Sequence, residues 1–156
     1  MNALRGKENG TWKGLMTVMV TVREKVRFVE TDMMGVVHHA NYFRWFEMGR
    51  VEFLRQAGIL LLDLMADGIV FPITEVSCQY RASARFDDYI LIETIPQVLS
   101  KAKMEFTYRV IRERDGILLA EGYTQNVFTD TNGKIVRLSG RYYELLQAAQ
   151  NKTESL

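Results

Sequence analysis

The chain has 156 residues, the length of one domain, with 47% apolar and 25% charged residues, enough to bury a core of its own. Its 20 Lys+Arg against 19 Asp+Glu leave a net charge of +1, so no whole-chain field draws it to nucleic acid or to an anionic membrane. The single Cys78 excludes an internal disulfide and suits a reducing compartment, and two histidines are too few for a multi-ligand His/Cys zinc site.

Residues 1–18 are polar, carry Gly6, Gly10 and Gly14, and lack the apolar core of a secretory signal. They read as a flexible leader ahead of a single domain over 19–150, and Met16 and Met19 offer later translation starts. No apolar run reaches the ~20 residues of a membrane span. From Val20 to Phe28 apolar and polar residues alternate, which predicts a half-buried strand with Val20, Val22, Val26 and Phe28 on one face.

A turn follows at Thr31 to Gly35, with Gly35 free to take positive φ. Val36 and Val37 then lead to His38 and His39. A helix is expected from about Ala40 to Gln56. Its residues Tyr42, Phe43, Trp45, Phe46, Met48, Val51, Phe53 and Leu54 cover more than half the circumference, so more than one partner must bury it. Arg44, Glu47, Arg55 and Gln56 form a narrow polar stripe. Glu47 and Arg50 stand at ion-pair spacing. Gly58 reads as the C-cap.

Ile59 to Ala66 is a second short helix that extends the apolar lining. After Pro72 the chain reads as strands over Ile73–Tyr80, Tyr89–Leu99, Lys103–Arg112, Ile117–Phe128 and Lys134–Leu138. Tight turns at Arg114-Asp115-Gly116 and Thr131-Asn132-Gly133 imply antiparallel pairing. Cys78 falls in one of these strands and reads as a small buried residue. Ser139 precedes a last helix, Gly140 to Gln150, and 151–156 is a loose tail. The expected architecture is α+β, an antiparallel sheet wrapped around one long central helix.

Asp32 is the one acid in the turn, Thr31 to Gly35, between the first strand and the helix start. A carboxylate there can deprotonate water or attack a carbonyl itself. The first amides of a helix lack intrahelical partners and carry the positive end of its dipole, so they can hold an oxyanion. The spacing Asp32-x-x-Gly35-Val36-Val37-x-His39-Ala40-Asn41-Tyr42, followed by an aromatic helix, resembles the hotdog-fold acyl-CoA thioesterases. Among these it resembles most the 4-hydroxybenzoyl-CoA thioesterase group and its Tol–Pal-associated relatives. The resemblance runs from about Val20 to Leu146. Tyr80-Arg81-x-x-Ala84-Arg85-Phe86-Asp87-Asp88 resembles the connection between two of that family's strands. The chain departs from the family at His38, where Tyr is frequent, and at Ala84, where Pro is.

The resemblance implies hydrolysis of an acyl thioester to a free acid and a thiol. Asp32 is then the general base or nucleophile. The amide of His39, on the turn made by Gly35, is the oxyanion donor, and the His39 side chain is a second catalytic candidate. Asn41 and Tyr42 are candidate substrate-positioning residues. From the residues alone, Asn41 ties down the turn and Tyr42 joins Trp45 and Phe46 in the core. Arg81 and Arg85 are candidate contacts for the phosphates of coenzyme A.

By the same resemblance, no metal or cofactor is expected beyond the coenzyme A or acyl-carrier protein of the substrate. The expected assembly is a homodimer through edge strands, or a dimer of dimers, in the cytoplasm. A hotdog acyl-thioester hydratase or dehydratase, or a non-catalytic acyl-carrier-binding scaffold, are the alternatives.

Overall fold

A computed structural model of the chain describes residues 19–151 and two short strands before them, β1 (Lys7–Glu8) and β2 (Thr11–Trp12), which pair antiparallel. The remainder of the expected leader over 1–18, and the tail after Asn151, lie outside the described residues.

The body of the protein is one antiparallel sheet of five strands. They are β3 (Val20–Lys25), β4 (Ile73–Tyr80), β5 (Tyr89–Leu99), β6 (Lys103–Arg112) and β7 (Leu118–Val127). Their order across the sheet is β3-β5-β6-β7-β4, so β3 and β4 are the two edges. Between β3 and β4 the chain forms the long helix α1 (Asn41–Gln56) and the short α2 (Leu61–Ala66); α3 (Gly140–Asn151) closes the described chain.

The sheet buries one face against α1. Ile90 and Ile92 of β5, Phe106, Tyr108 and Val110 of β6 and Ala120 of β7 are sealed from solvent. From the helix side come Tyr42, Trp45, Phe46, Phe53 and Leu54. Phe46 stacks on Tyr108 at 4.3 Å and Phe53 meets the edge of Phe106 at 5.3 Å. The polar stripe of Arg44, Glu47, Arg55 and Gln56 faces solvent, as its narrowness predicts.

Two glycines let helix and sheet approach this closely. A Cβ on Gly49 would overlap the hydroxyl of Thr94 in β5, and a Cβ on Gly122 in β7 would overlap the ring of Phe46. Gly58 ends α1 with φ +88°, and the Ile59 amide reaches back to the Leu54 carbonyl at 2.8 Å.

The structure shortens the first expected strand and does not form the last. The first ends at Lys25, its last partner on β5 being Tyr89. Phe28 is 76% exposed rather than part of the buried face, because residues 28–30 wind into a 3-10 turn that carries Glu30 inward. The segment 134–138 is not a closing strand. Asp130 captures the amides of Asn132 and Lys134 with its side chain, and only an isolated bridge, Thr129 to Ile135, remains. The second helix begins at Leu61, two residues later than expected, with Ile59 buried ahead of it.

Candidate active site

The link from β3 to α1 is a short loop closed on itself. Thr31 and Val37 form a bridge across it, the Asp32 amide donates to the Val36 carbonyl at 2.9 Å, and the Gly35 amide donates to the Asp32 carbonyl at 3.0 Å. Gly35 has φ +76°, a conformation that costs a residue with a Cβ and is free for glycine. One carboxylate oxygen of Asp32 accepts the Met34 amide at 2.8 Å, which fixes the side chain over the turn. Its other oxygen has no hydrogen-bond partner among the described residues.

On the far limb of the loop, nearly every amide is committed. Val37 donates to the Ala84 carbonyl at 2.9 Å and His38 to the Glu30 carbonyl at 2.8 Å. The amides of Asn41, Tyr42 and Phe43 reach the carbonyls of His38, His39 and Ala40. The Ala40 amide donates to Nδ1 of His38 at 3.2 Å, which assigns the His38 proton to Nε2 when the ring is neutral. Between Val37 and Phe43 this leaves one amide, that of His39, without a partner among the described residues. It sits at the positive end of a 16-residue helix.

Two residues that hold this arrangement were not singled out from the sequence. Glu30 is only 4% exposed, yet its carboxylate accepts from the Arg27 amide at 2.8 Å, from Arg27 Nε at 3.3 Å and from the Trp45 indole at 3.0 Å. Its carbonyl takes the His38 amide and the Asn41 side chain, the latter at 2.9 Å. Tyr80, from edge strand β4, donates its hydroxyl to the His39 carbonyl at 2.9 Å. Partial burial, with the Cys78 thiol beside it, pushes the Tyr80 phenol up, so it stays a donor. The advance signal was indirect: a tryptophan near the start of a buried helix needs an acceptor for its N–H.

Asn41 therefore ties the helix start to the 3-10 turn. Tyr42 is 2% exposed, with its ring against Trp45 and Tyr80, so it supports the site from the core. The His38 and His39 rings stack at 4.2 Å and face solvent. Arg85 lies over the turn, with Nη1 3.5 Å from the Gly35 carbonyl. Arg81 points elsewhere: its guanidinium is held by Glu121 at 3.0 Å and Gln79 at 2.6 Å.

The ion pair expected between Glu47 and Arg50 does not form. Arg50 is buried and turns inward to the hydroxyl of Tyr108 at 3.2 Å, while Glu47 stays exposed. Cys78 is half buried, and burial pushes its thiol up, which disfavours the thiolate. Along α2 and the connection that leads to β4, Leu61, Met65, Ile69, Val70, Phe71 and Pro72 line an apolar cleft of about 320 Å³. Among the described residues no group of three His, Cys, Asp or Glu side chains converges to hold a metal ion. None of their helices is long and apolar enough to cross a membrane.

A five-stranded antiparallel sheet in this order, curled on one long helix, is the hotdog fold of acyl-thioester enzymes. The chain belongs to the Thioesterase-like superfamily, whose sequence model matches residues 26–150. It is similar to the crystal structure of TT1821 from Thermus thermophilus, with 39% identity and a TM-score of 0.77, covering 83% of this chain and 98% of that one. It is 32% identical over 94 residues to the acyl-CoA thioester hydrolase YbgC of Escherichia coli O6:H1, spanning 60% of this chain and 70% of YbgC. It is 30% identical over 115 residues to the 1,4-dihydroxy-2-naphthoyl-CoA hydrolase of Nostoc punctiforme, spanning 73% of this chain and 76% of that enzyme. The chain is a thioester hydrolase.

Proposed function

We propose that this hydrolase cleaves an acyl-CoA thioester to a free carboxylic acid and coenzyme A, with Asp32 and the His39 amide as its working groups. The observation that carries the reading is their placement. A carboxylate oxygen and a helix-start amide, both without partners among the described residues, stand on the two limbs of one loop.

In the hydrolysis, Asp32 takes a proton from water as the oxygen bonds to the thioester carbon. The carbonyl oxygen gains the negative charge and is held by the His39 N–H. An amide of this kind typically lowers the barrier by about 3–4 kcal/mol. Collapse of the tetrahedral adduct breaks the C–S bond, and the thiolate of coenzyme A leaves and takes up the proton. Direct attack by Asp32, giving a mixed anhydride that water then opens, uses the same two groups. The His39 imidazole stands beside its own amide, where it can steady the water or the leaving thiolate. No cofactor beyond the coenzyme A of the substrate enters either route.

Arg85 is the better placed phosphate contact, since among the described residues its guanidinium makes only one long contact, to the loop it covers. Arg81 would first have to leave Glu121. The working unit is a homodimer paired through β4, or a dimer of dimers, in the cytoplasm.

Release of free thiol from a panel of acyl-CoAs, followed with a thiol-reactive dye, tests the assignment. Asp32→Ala and Asp32→Asn are expected to lower turnover at least ~100-fold, as for loss of a general base. Wild-type activity in both variants would remove Asp32 from the mechanism. Loss of enoyl absorbance without thiol release would identify a hydratase, and neither signal would leave a binding scaffold. Running acyl-carrier-protein thioesters in parallel separates the two carriers.

A further inference from the structure

Along the N-terminal part of α1, a cleft of about 200 Å³ opens between the helix and edge strand β4. Phe43, Ile73 and Val76 form its apolar walls; Arg44, Glu47 and Arg50 are its charged residues and Thr124 its hydroxyl. Its volume lies below the ~300–1,000 Å³ of a pocket for a whole drug-sized ligand, so it suits one end of a substrate rather than the entire molecule.

Arg50 is the unusual group here. It is 6% exposed, and no carboxylate among the described residues lies within ion-pair distance of it. Its one hydrogen bond among the described residues is Nη1 to the Tyr108 hydroxyl at 3.2 Å, and that hydroxyl is shared with Thr124 at 2.6 Å. Its Nε is buried with no partner among the described residues. A buried guanidinium without a counter-charge is an unfavourable arrangement that an anion would relieve. The planar fork of arginine matches a carboxylate. Glu47 opposes an anion at the cleft, but Arg44 and Arg50 outnumber it.

Resting on the acyl-thioester reading above, we propose that this cleft takes a carboxylate carried on the far end of the acyl group, with Arg50 as its counter-charge, so that the enzyme selects carboxyacyl thioesters over neutral ones. The apolar walls hold the body of the acyl group and the arginine reads its end. The selection follows from a buried polar group that only the carboxylated substrate satisfies.

The test pairs adipoyl-CoA with hexanoyl-CoA, and 3-carboxybenzoyl-CoA with benzoyl-CoA, on wild type and Arg50→Met. The expected wild-type ratio of kcat/KM, carboxylated over neutral, is at least about tenfold, and it collapses toward one in Arg50→Met. Isophthalate is expected to raise the melting temperature of wild type, where benzamide does not, and to lose that effect in the variant. Should Arg50→Met not fold, the wild-type contrast between isophthalate and benzamide still decides.

Equal kcat/KM within both pairs and no isophthalate shift would overturn the carboxylate site while leaving thioester hydrolysis intact. An isophthalate shift without hydrolysis of any thioester would sink the enzymatic reading and keep the site. A variant that loses its oligomeric state on gel filtration but keeps the wild-type ratio would place the counter-charge on a second copy and overturn the proposal.

Discussion

Glu30 touches no part of the presumed reaction path, yet it holds both limbs of the Asp32 loop. Its carboxylate fixes Trp45 in the second turn of α1 and Arg27 just past the first strand, and its carbonyl fixes His38 and Asn41. A Gln at this position presents one acceptor and one donor where the site offers only donors. Glu30→Gln is therefore expected to destabilise the protein by about 1–3 kcal/mol, the cost of a buried donor left unpaired, as read from urea unfolding. Turnover should fall with it, because the His39 amide is aimed by the same hydrogen bonds. His39 itself shows why residue type is a poor guide at this scale. The imidazole draws the eye in the sequence, but the feature that sets His39 apart in the structure is its backbone N–H.

Helix α1 is built for close approach along one side and for solvent at its end. On the sheet side, Gly122 lies under the ring of Phe46, which is sealed in the core. Gly122→Ala should push that ring off Tyr108 and cost about 1–3 kcal/mol, as overpacking does; thermal or urea unfolding measures it.

At the solvent end, Glu52 pairs with Arg55 one turn on and accepts from Gln56 at 3.1 Å. These bonds, with Arg55 first, hold the Glu52 carboxyl at about 2, below the ordinary carboxylate range. A carboxyl depressed on folding stabilises the protein above its unfolded value, ~4.3, and loses that contribution as pH falls through its folded value. The difference in melting temperature between wild type and Glu52→Gln should thus be flat from neutral pH down to about 5 and shrink below ~4.3. A difference that grew on acidification would contradict the pairing.

For the molecule as a whole, the open question is the edge at β4. Among the described residues it pairs only with β7, and seven of its eight residues are exposed, Ile73, Val76 and Tyr80 among them. An edge so long and so uncharged is a template for another strand. Pairing with the same strand of a second copy would bury it and bring a second chain beside both Tyr80 and the Arg50 cleft. Ser77→Lys is expected to oppose that pairing by placing like charges on two adjoining strands. Light scattering after gel filtration should then report a smaller species than wild type. An unchanged mass would move the contact to another face.

The same scale shows how far the chain could be read on its own. The long helix was legible because its aromatic residues recur at helical spacing, and the five sheet strands because apolar residues alternate between turn residues. The Asp32–Gly35 turn was legible because acid and glycine are neighbours in sequence. Where reading failed, distant partners were responsible. Phe28 continues the alternation of the first strand, but β5 offers no partner beyond Tyr89, so the chain leaves the sheet. Residues 134–138 look like a strand, but the side chain of Asp130 takes the amide of Lys134 and, ahead of it, that of Asn132. Glu47 and Arg50 have ion-pair spacing, but Tyr108 and Thr124 draw the arginine inward.

Periodicity and turn chemistry are local properties of the chain, and they determined the class of fold, the central helix and the position of the acid ahead of it. Which amide stays free, which acid is buried and which arginine lacks a counter-charge depend on hydrogen-bond partners tens of residues away. Ala84 and Glu30 claim the amides of Val37 and His38 on the far limb of the loop, and Tyr80 claims the carbonyl of His39. Only the tertiary structure brings those groups together, and so only it could decide them.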